Sequence, residues 1–337
     1  MILTIICPTF NEEKHIDKTI ESFLSQQCNS FSLEVLICDG MSTDRTREIV
    51  SKLAEKNHRI KLIDNPNKRT PFAFNIGLNA ANGDYVAILG AHAIYQVNYL
   101  EVCFRELIDK DAVGCSGKII TQSINNAFQP KLCEWISLSW FGVSGNSFRL
   151  KKEGYVETIG YPIFRKKALL DLNGYNEKLL RNQDNDMNQR LIDAGHKLYL
   201  TSKTSCTYRP PNTIKNLLIY AYNNGFWVAK SFFIHRNSMK LHHFIPFLFS
   251  SMLLLLIIGS FFEYFVGSTN FIFIILSSLF LLHLTLGLIS SIIVKEKKFM
   301  IPRTLLMPLI FLAFHFSYGW GTIKGFLSQI FNNQVFK

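Results

Sequence analysis

The chain contains neither a G-x-G-x-x-G run nor a G-x-x-x-x-G-K-[ST] run, which removes the main support for dinucleotide and P-loop sites. It has no Cys-x-x-Cys pair either. Its seven cysteines, an odd number, stand at 7, 28, 38, 103, 115, 133 and 206. Cys7 and Cys38 fall inside apolar runs, so the set reads as reduced core residues of a cytosolic compartment, without a disulfide framework. The start, MILTIICPTFN, lacks a basic leader and a small-residue cleavage site, and is expected as a strand in place of a signal peptide. Acidic residues are the minority: 25 Asp and Glu against 36 Lys and Arg leave a net charge of +11. The basic residues form no single run or helical stripe, and no nucleic-acid motif accompanies them. Nucleic acid is therefore not expected as a partner, and a negatively charged membrane surface is.

What is present is a clear periodicity. From Leu3 to Gly117, short apolar runs alternate with amphipathic segments. LTIIC (3–7), LEVLIC (33–38), IKLI (60–63), YVAIL (85–89) and AVGCS (112–116) read as strands buried on both faces. Ile16, Ile20, Phe23 and Leu24 share a helical face after Asn11 as N-cap, and Ile49, Val50 and Leu53 do the same after Ser42 to Asp44. The pattern is βαβαβ, so the fold class is α/β with a mostly parallel sheet.

Ligands of such sheets bind beyond the carboxyl ends of the strands. Polar residues gather there, in PTFNE (8–12), DGMSTDRT (39–46) and GAH (90–92). Each alone is ordinary turn material. Together the three loops suit a nucleotide pocket made of carboxylates and backbone, with Asp39 accepting from a base N–H and Glu12 or Asp44 from ribose hydroxyls.

CPTFNE, DGMSTDRT, the NGDYVAIL strand and RNQDNDMNQRLIDAGHKLYL (181–200), with SYGWGTIKG (317–325) further on, together resemble the family 2 glycosyltransferases of GT-A fold. The likeness is to the succinoglycan-biosynthesis type of bacterial polysaccharide enzyme in particular. It implies transfer of a sugar from a nucleotide donor, commonly a UDP-sugar, with inversion at the anomeric carbon. Such a reaction needs a base for the acceptor hydroxyl and something to neutralise the departing diphosphate.

By this resemblance Asp184 is the catalytic base, preceded by Gln183 where the family usually has Glu. Gln183, Asp186, Arg165 of PIFRKKALL and Arg209 of TYRPP are acceptor or supporting residues. The donor-binding set is Pro8, Thr9, Glu12, Asp39, Asp44, Arg69, Asn75, Gly90 and Ala91. Most of the family carries Asp-x-Asp after the fourth strand and the closer relatives Asp-Ala-His; this chain has Gly90-Ala91-His92. His92 is then the metal-facing residue for Mg²⁺ or Mn²⁺, with diphosphate oxygens and water completing the shell. The plainer reading of 183–186 is a charged first helical turn favoured by the helix dipole.

The apolar residues crowd into the last third, in runs Leu241 to Val266, Asn270 to Val294 and Pro302 to about Trp320. The first two exceed the roughly 20 residues needed to cross a bilayer. The third carries Pro308 and His315 and reads as a span or as a re-entrant or tilted helix. EYFVGSTN (263–270) has no basic residue, whereas KEKKFMIPR (295–303) holds Lys295, Lys297, Lys298 and Arg303. The positive-inside rule puts the second loop and the soluble part in the cytoplasm, at the inner (plasma) membrane. The stretch 212–236 resembles an interfacial helix pair, and WISLSWFGVSGNSF (135–148) an acceptor-gating loop or a membrane-dipping hairpin.

The expected organisation is a cytoplasmic GT-A domain over 1–210, an interfacial segment over 211–240, and a membrane domain over 241–337 with spans 241–266, 270–294 and 302–322. The expected activity is transfer of a sugar from a nucleotide-sugar to a membrane-associated, lipid-linked acceptor in surface polysaccharide assembly. A non-catalytic nucleotide-sugar-binding or scaffold protein, its turnover lost with the acid at position 90, is the competing class. A transport component is disfavoured by the near absence of charge in the first two spans.

Overall fold

The computed structural model describes residues 1–91, 93–142, 153–236, 241–267 and 270–331. The chain divides into two units, Met1–Ile120 with Phe148–Tyr208, and Thr121–Ser147 with Arg209–Lys337. The border after Tyr208 lies beside the one expected at 210, and the stretch from Thr121 to Ser147 groups with the C-terminal helices as well.

The first unit begins β1 (Ile2–Thr9), α1 (Ile16–Leu24), β2 (Ser32–Asp39), α2 (Thr46–Lys56), β3 (Ile60–Asp64), α3 (Thr70–Ala80) and β4 (Tyr85–Ile88). It continues with β5 (Ile94–Tyr95), α4 (Tyr99–Asp109) and β6 (Gly114–Thr121), then β7 (Gly154–Val156), β8 (Ile163–Arg165), α6 (Lys166–Asp171), α7 (Gln183–Asp193) and β9 (Leu198–Tyr208). The strand order is β3-β2-β1-β4-β8-β6-β9-β5, with β7 on β9. β3, β2, β1 and β4 are parallel, and β8 enters antiparallel between β4 and β6. β8 is three residues long, too short to show a period.

Successive residues of the central strands supply opposite faces. Ile5, Cys7, Val35 and Ile37 pack with Ile16, Ile20 and Phe23 of α1, while Ile6, Leu36 and Cys38 pack with Phe74 and Leu78 of α3 and Met187 and Leu191 of α7. Burial pushes the Cys7 and Cys38 thiols up to about 12, which makes them inert packing groups. All seven cysteines are free.

The second unit holds α5 (Phe128–Leu138), α8 (Ile214–Ile234), α9 (Leu241–Val266), α10 (Phe271–Ile293) and α11 (Met300–Phe331). The expected interfacial pair is one helix, α8, started by Thr213, whose side chain accepts from Asn216 N. α9, α10 and α11 are each long and apolar enough to cross a membrane. The third run and SYGWGTIKG lie on the single 32-residue α11, about 48 Å long. Helices α8 and α11 touch backbone to backbone: a Cβ on Gly225 would strike the Tyr318 carbonyl, and one on Gly321 the Tyr222 carbonyl. α5 docks through Leu132, Trp135 and Ile136 onto Leu217, Met307 and Phe311. Of the stretch 135–148, expected as an acceptor-gating loop or a membrane-dipping hairpin, residues 135–138 end α5 and 143–148 lie outside the described residues.

Candidate active site

The parallel strands end together. Thr9 pairs with Asp39 at the last register position of β1 and β2, Gly40 N donates to Thr9 O at 2.7 Å, and Leu89 N, just past β4, donates to Ile6 O. Beyond this edge the loops are laced to each other. Asn11 N donates to Ser42 Oγ (2.8 Å), Glu12 N to Thr46 Oγ1 (2.7 Å), and Thr43 N to Asn11 Oδ1 (2.9 Å). Asn11, expected as a helix N-cap, instead adopts φ 54° and serves this lacing.

Several expected ligand contacts are engaged within the protein. Asp39 is fully buried; it accepts from Ser42 N, Ser42 Oγ and Arg47 Nη1, and Arg47 also reaches Asp64. Asp44 accepts from Thr46 N, Thr46 Oγ1 and Glu13 N. Desolvation pushes the Asp44 carboxyl up, but these hydrogen bonds outweigh it and hold its pKa below the ordinary aspartate value. Asn75 clamps the 174–177 loop: its Nδ2 donates to Tyr175 O and Glu177 Oε1, and its Oδ1 accepts from Tyr175 N. Asp186, 1% exposed, accepts from Arg190, whose other donors hold Leu172 O and Gly174 O.

Arg165 requires a correction. It pairs with Tyr85, at the start of β4, and its guanidinium bonds Ala112 O and Tyr85 Oη, so it sits at the sheet edge opposite the strand ends. Arg209 is exposed and opens the second stretch of the second unit. Arg69 is exposed as the N-cap of α3.

A cavity of about 230 Å³ lies at the strand ends, lined by Pro8, Thr70, Phe74, Ile88, Leu89, Gly90, Ile159 to Pro162, Phe164, Tyr175, Gln183, Asp184 and Asn188. It brings Pro8, Gly90, Gln183 and Asp184 together. Thr9 and Ala91 are buried behind it, Thr9 as the last residue of β1 and Ala91 O accepting from Thr19 Oγ1. Asp184 is exposed in the first turn of α7, with Oδ1 accepting from Asn185 N. Burial pushes the Tyr175 phenol up, and the Asp184 charge pushes it further, so this wall is neutral.

Sequence reasoning missed Thr70, Phe74, Tyr161, Tyr175 and Asn188. Only Asn188 carried a usable signal, lying one helical turn beyond Asp184 on the same face as Met187 and Leu191.

His92 lies outside the described residues. Among the described residues no group of three His, Cys, Asp or Glu side chains could hold a metal ion. With glycine and alanine at 90 and 91 and Asp184 the one carboxylate of the cavity lining, these residues do not fit a dication held by the protein alone.

Polar loops and the Asp184 carboxylate thus meet at the ends of the parallel strands of an α/β unit, a layout that suits a nucleotide-sugar ligand. The model of the family described as Glycosyl transferase family 2 matches residues 4–172, and the chain belongs to that family. It is a glycosyltransferase. The dolichyl N-acetyl-alpha-D-glucosaminyl phosphate 3-beta-D-2,3-diacetamido-2,3-dideoxy-beta-D-glucuronosyltransferase of Methanococcus voltae is 29% identical over 345 residues, 99% of each chain. The succinoglycan biosynthesis protein ExoA of Rhizobium meliloti (strain 1021) is 30% identical over 246 residues, 72% of this chain and 73% of that one. Among solved structures, the mannosyltransferase PcManGT of Pyrobaculum calidifontis, in complex with GDP-Man and Mn²⁺, has a TM-score of 0.61 at 17% identity, covering 94% of this chain and 87% of its own. That likeness gives the GT-A fold.

Proposed function

We propose that this protein transfers a sugar, with inversion, from a nucleoside-diphosphate donor to a lipid-linked acceptor in surface polysaccharide assembly, at the cytoplasmic face of the plasma membrane. The observation that carries the reading is the cavity itself, where Asp184 faces the strand ends beside Pro8 and Gly90. Asp184 is the base that takes the proton of the acceptor hydroxyl as it attacks the anomeric carbon.

The diphosphate leaves toward the N-terminus of α3, whose Thr70 lines the cavity and whose N-cap is Arg69. The positive end of a helix and a guanidinium both favour an anion there. Asp39, Asp44, Asn75 and Asp186 act as positioning residues that hold the loops around the donor. Were Mg²⁺ or Mn²⁺ bound with the donor, His92 would be the expected protein ligand and the ion would neutralise charge on the diphosphate.

The donor and acceptor classes draw support from the relatives, one with a dolichyl N-acetyl-glucosaminyl phosphate in its name and one solved in complex with GDP-Man. The cytoplasmic orientation rests on Lys295, Lys297 and Lys298, the three basic residues between the second and third apolar runs. The test is Asp184→Asn in the purified full-length protein. Transfer from a panel of nucleotide-sugars to a polyprenyl-phosphate-linked acceptor should fall by 10³-fold or more, with nucleotide affinity unchanged. Turnover near the wild-type rate would remove Asp184 from this role.

A further inference from the structure

Asn188 is 2% exposed and lines the cavity. Its Nδ2 donates to Ile159 O at 3.0 Å, and this bond fixes the amide's orientation, because a flipped amide would set oxygen against oxygen. Its Oδ1 is buried and has no hydrogen-bond partner among the described residues. The same holds for Gln183 Oε1, which lines the same cavity. Buried acceptors left unmatched are destabilising and uncommon, and two in one cavity point to a ligand that supplies donors.

The chemistry of that ligand follows from the lining. The described lining residues include no lysine or arginine, and Asp184 carries the one carboxyl group among them. The remaining wall combines apolar Phe74, Ile88, Ile159 and Phe164 with the uncharged Thr70, Tyr161, Tyr175 and Gln183. A carboxylate or phosphate lodged against Asn188 would meet an acceptor and no cation. A hydroxyl or an acylamino N–H would complete the amide. The volume, about 230 Å³, is below the roughly 300–1,000 Å³ of pockets for drug-sized ligands, so the cavity takes one sugar ring and leaves the nucleotide outside it.

We propose that Asn188 is a specificity-determining residue, whose Oδ1 accepts a hydrogen bond from an O–H or acylamino N–H of the donor sugar held in this cavity. This rests on the donor-binding reading above. A site that hydrogen-bonds a substrate group from a buried acceptor rejects the analogue lacking it strongly.

The experiment uses the purified full-length protein and the best nucleotide-sugar of the panel. Each ring substituent is replaced in turn by hydrogen, and kcat/KM is measured for wild type and Asn188→Leu. Wild type should lose roughly 100-fold or more at one ring position. Asn188→Leu should lose a similar factor on the parent sugar, show little further loss on that deoxy analogue, and bind the free nucleoside diphosphate as wild type does. A folded Asn188→Leu that discriminates as wild type does overturns the proposal. So does a wild-type scan in which no deoxy position costs more than a few-fold, whether or not the variant folds. Turnover with no such position sinks this inference alone. Failure to bind or turn over any nucleotide-sugar sinks the donor-binding reading and this inference with it.

Discussion

Gly90 stands where most of family 2 is expected to place a carboxylate, and its surroundings do not demand a glycine. A Cβ built there meets Tyr161 Cε1 at 3.4 Å, an ordinary contact. Gly90→Asp should therefore fold with a thermal midpoint within about 2 °C of wild type. It should also tighten Mn²⁺ binding to the nucleotide-bound protein by about tenfold, because a carboxylate is a better ligand for a hard cation. A Mn²⁺ titration that does not move in a folded variant would place position 90 outside the metal's reach. Glu34 is a second residue with a testable charge. Buried in the apolar run LEVLIC, it accepts from Thr4 Oγ1 (2.7 Å), Lys61 Nζ (2.8 Å), Asn82 N and Asn82 Nδ2. Desolvation raises its pKa, but Lys61, Asn82 and Thr4 hold it below the ordinary glutamate value of 4.5. A carboxyl depressed on folding stabilises above its unfolded pKa, and that contribution is lost as pH falls through the lower folded value. The thermal midpoint of Glu34→Gln should thus be lower than wild type at pH 7 and fall less steeply below pH 4.5; parallel pH profiles would contradict this.

Among the elements, the pairing of α8 with α11 gives SYGWGTIKG a physical meaning. Gly321 and Gly225 face opposing backbone carbonyls, and Gly325 faces the Phe226 carbonyl, with only the small Thr322 and Ala229 side chains beside them. Close approach through small residues is how helices associate where water supplies no hydrophobic drive. Gly321→Leu should cost about 2 kcal/mol or more by overpacking, read as a fall in the midpoint of thermal unfolding in detergent. The start of α10 is held differently: the Glu263 carboxylate accepts from Ile272 N and Phe273 N. This acidic residue near the end of the first apolar run is a cap for the next helix, in keeping with the preference of helix N-termini for negative charge.

For the whole molecule, the division of the chain has a practical consequence. A protein ending at Tyr208 keeps α5 but loses the partners of Leu132, Trp135 and Ile136. It should aggregate or pellet with membranes. Replacing 122–147 with a short Gly/Ser linker in the same truncation should yield a soluble unit that still binds nucleotide. Size-exclusion chromatography of the two proteins decides the matter: equal solubility would mean that α5 does not depend on the C-terminal helices.

The central strands and the long apolar helices were legible because alternation, run length and charge depletion are local properties of a chain. β1 to β4 match their apolar runs within a few residues, and α9 and α10 match the first two spans. Asp184 was singled out by resemblance to a family position, and the fold puts it in the cavity lining. Tertiary structure alone decided the rest. It inserted β8 antiparallel beside β4 and so carried Arg165 to the far edge. It assigned α5 to the C-terminal helices, and it engaged Asp39 with Ser42 and Arg47 while leaving Asn188 Oδ1 unmatched in the cavity. Whether a polar atom is satisfied depends on groups brought to it from elsewhere in the chain. For Asn188 that group is Ile159, 29 residues away, a pairing that exists only once the sheet has formed.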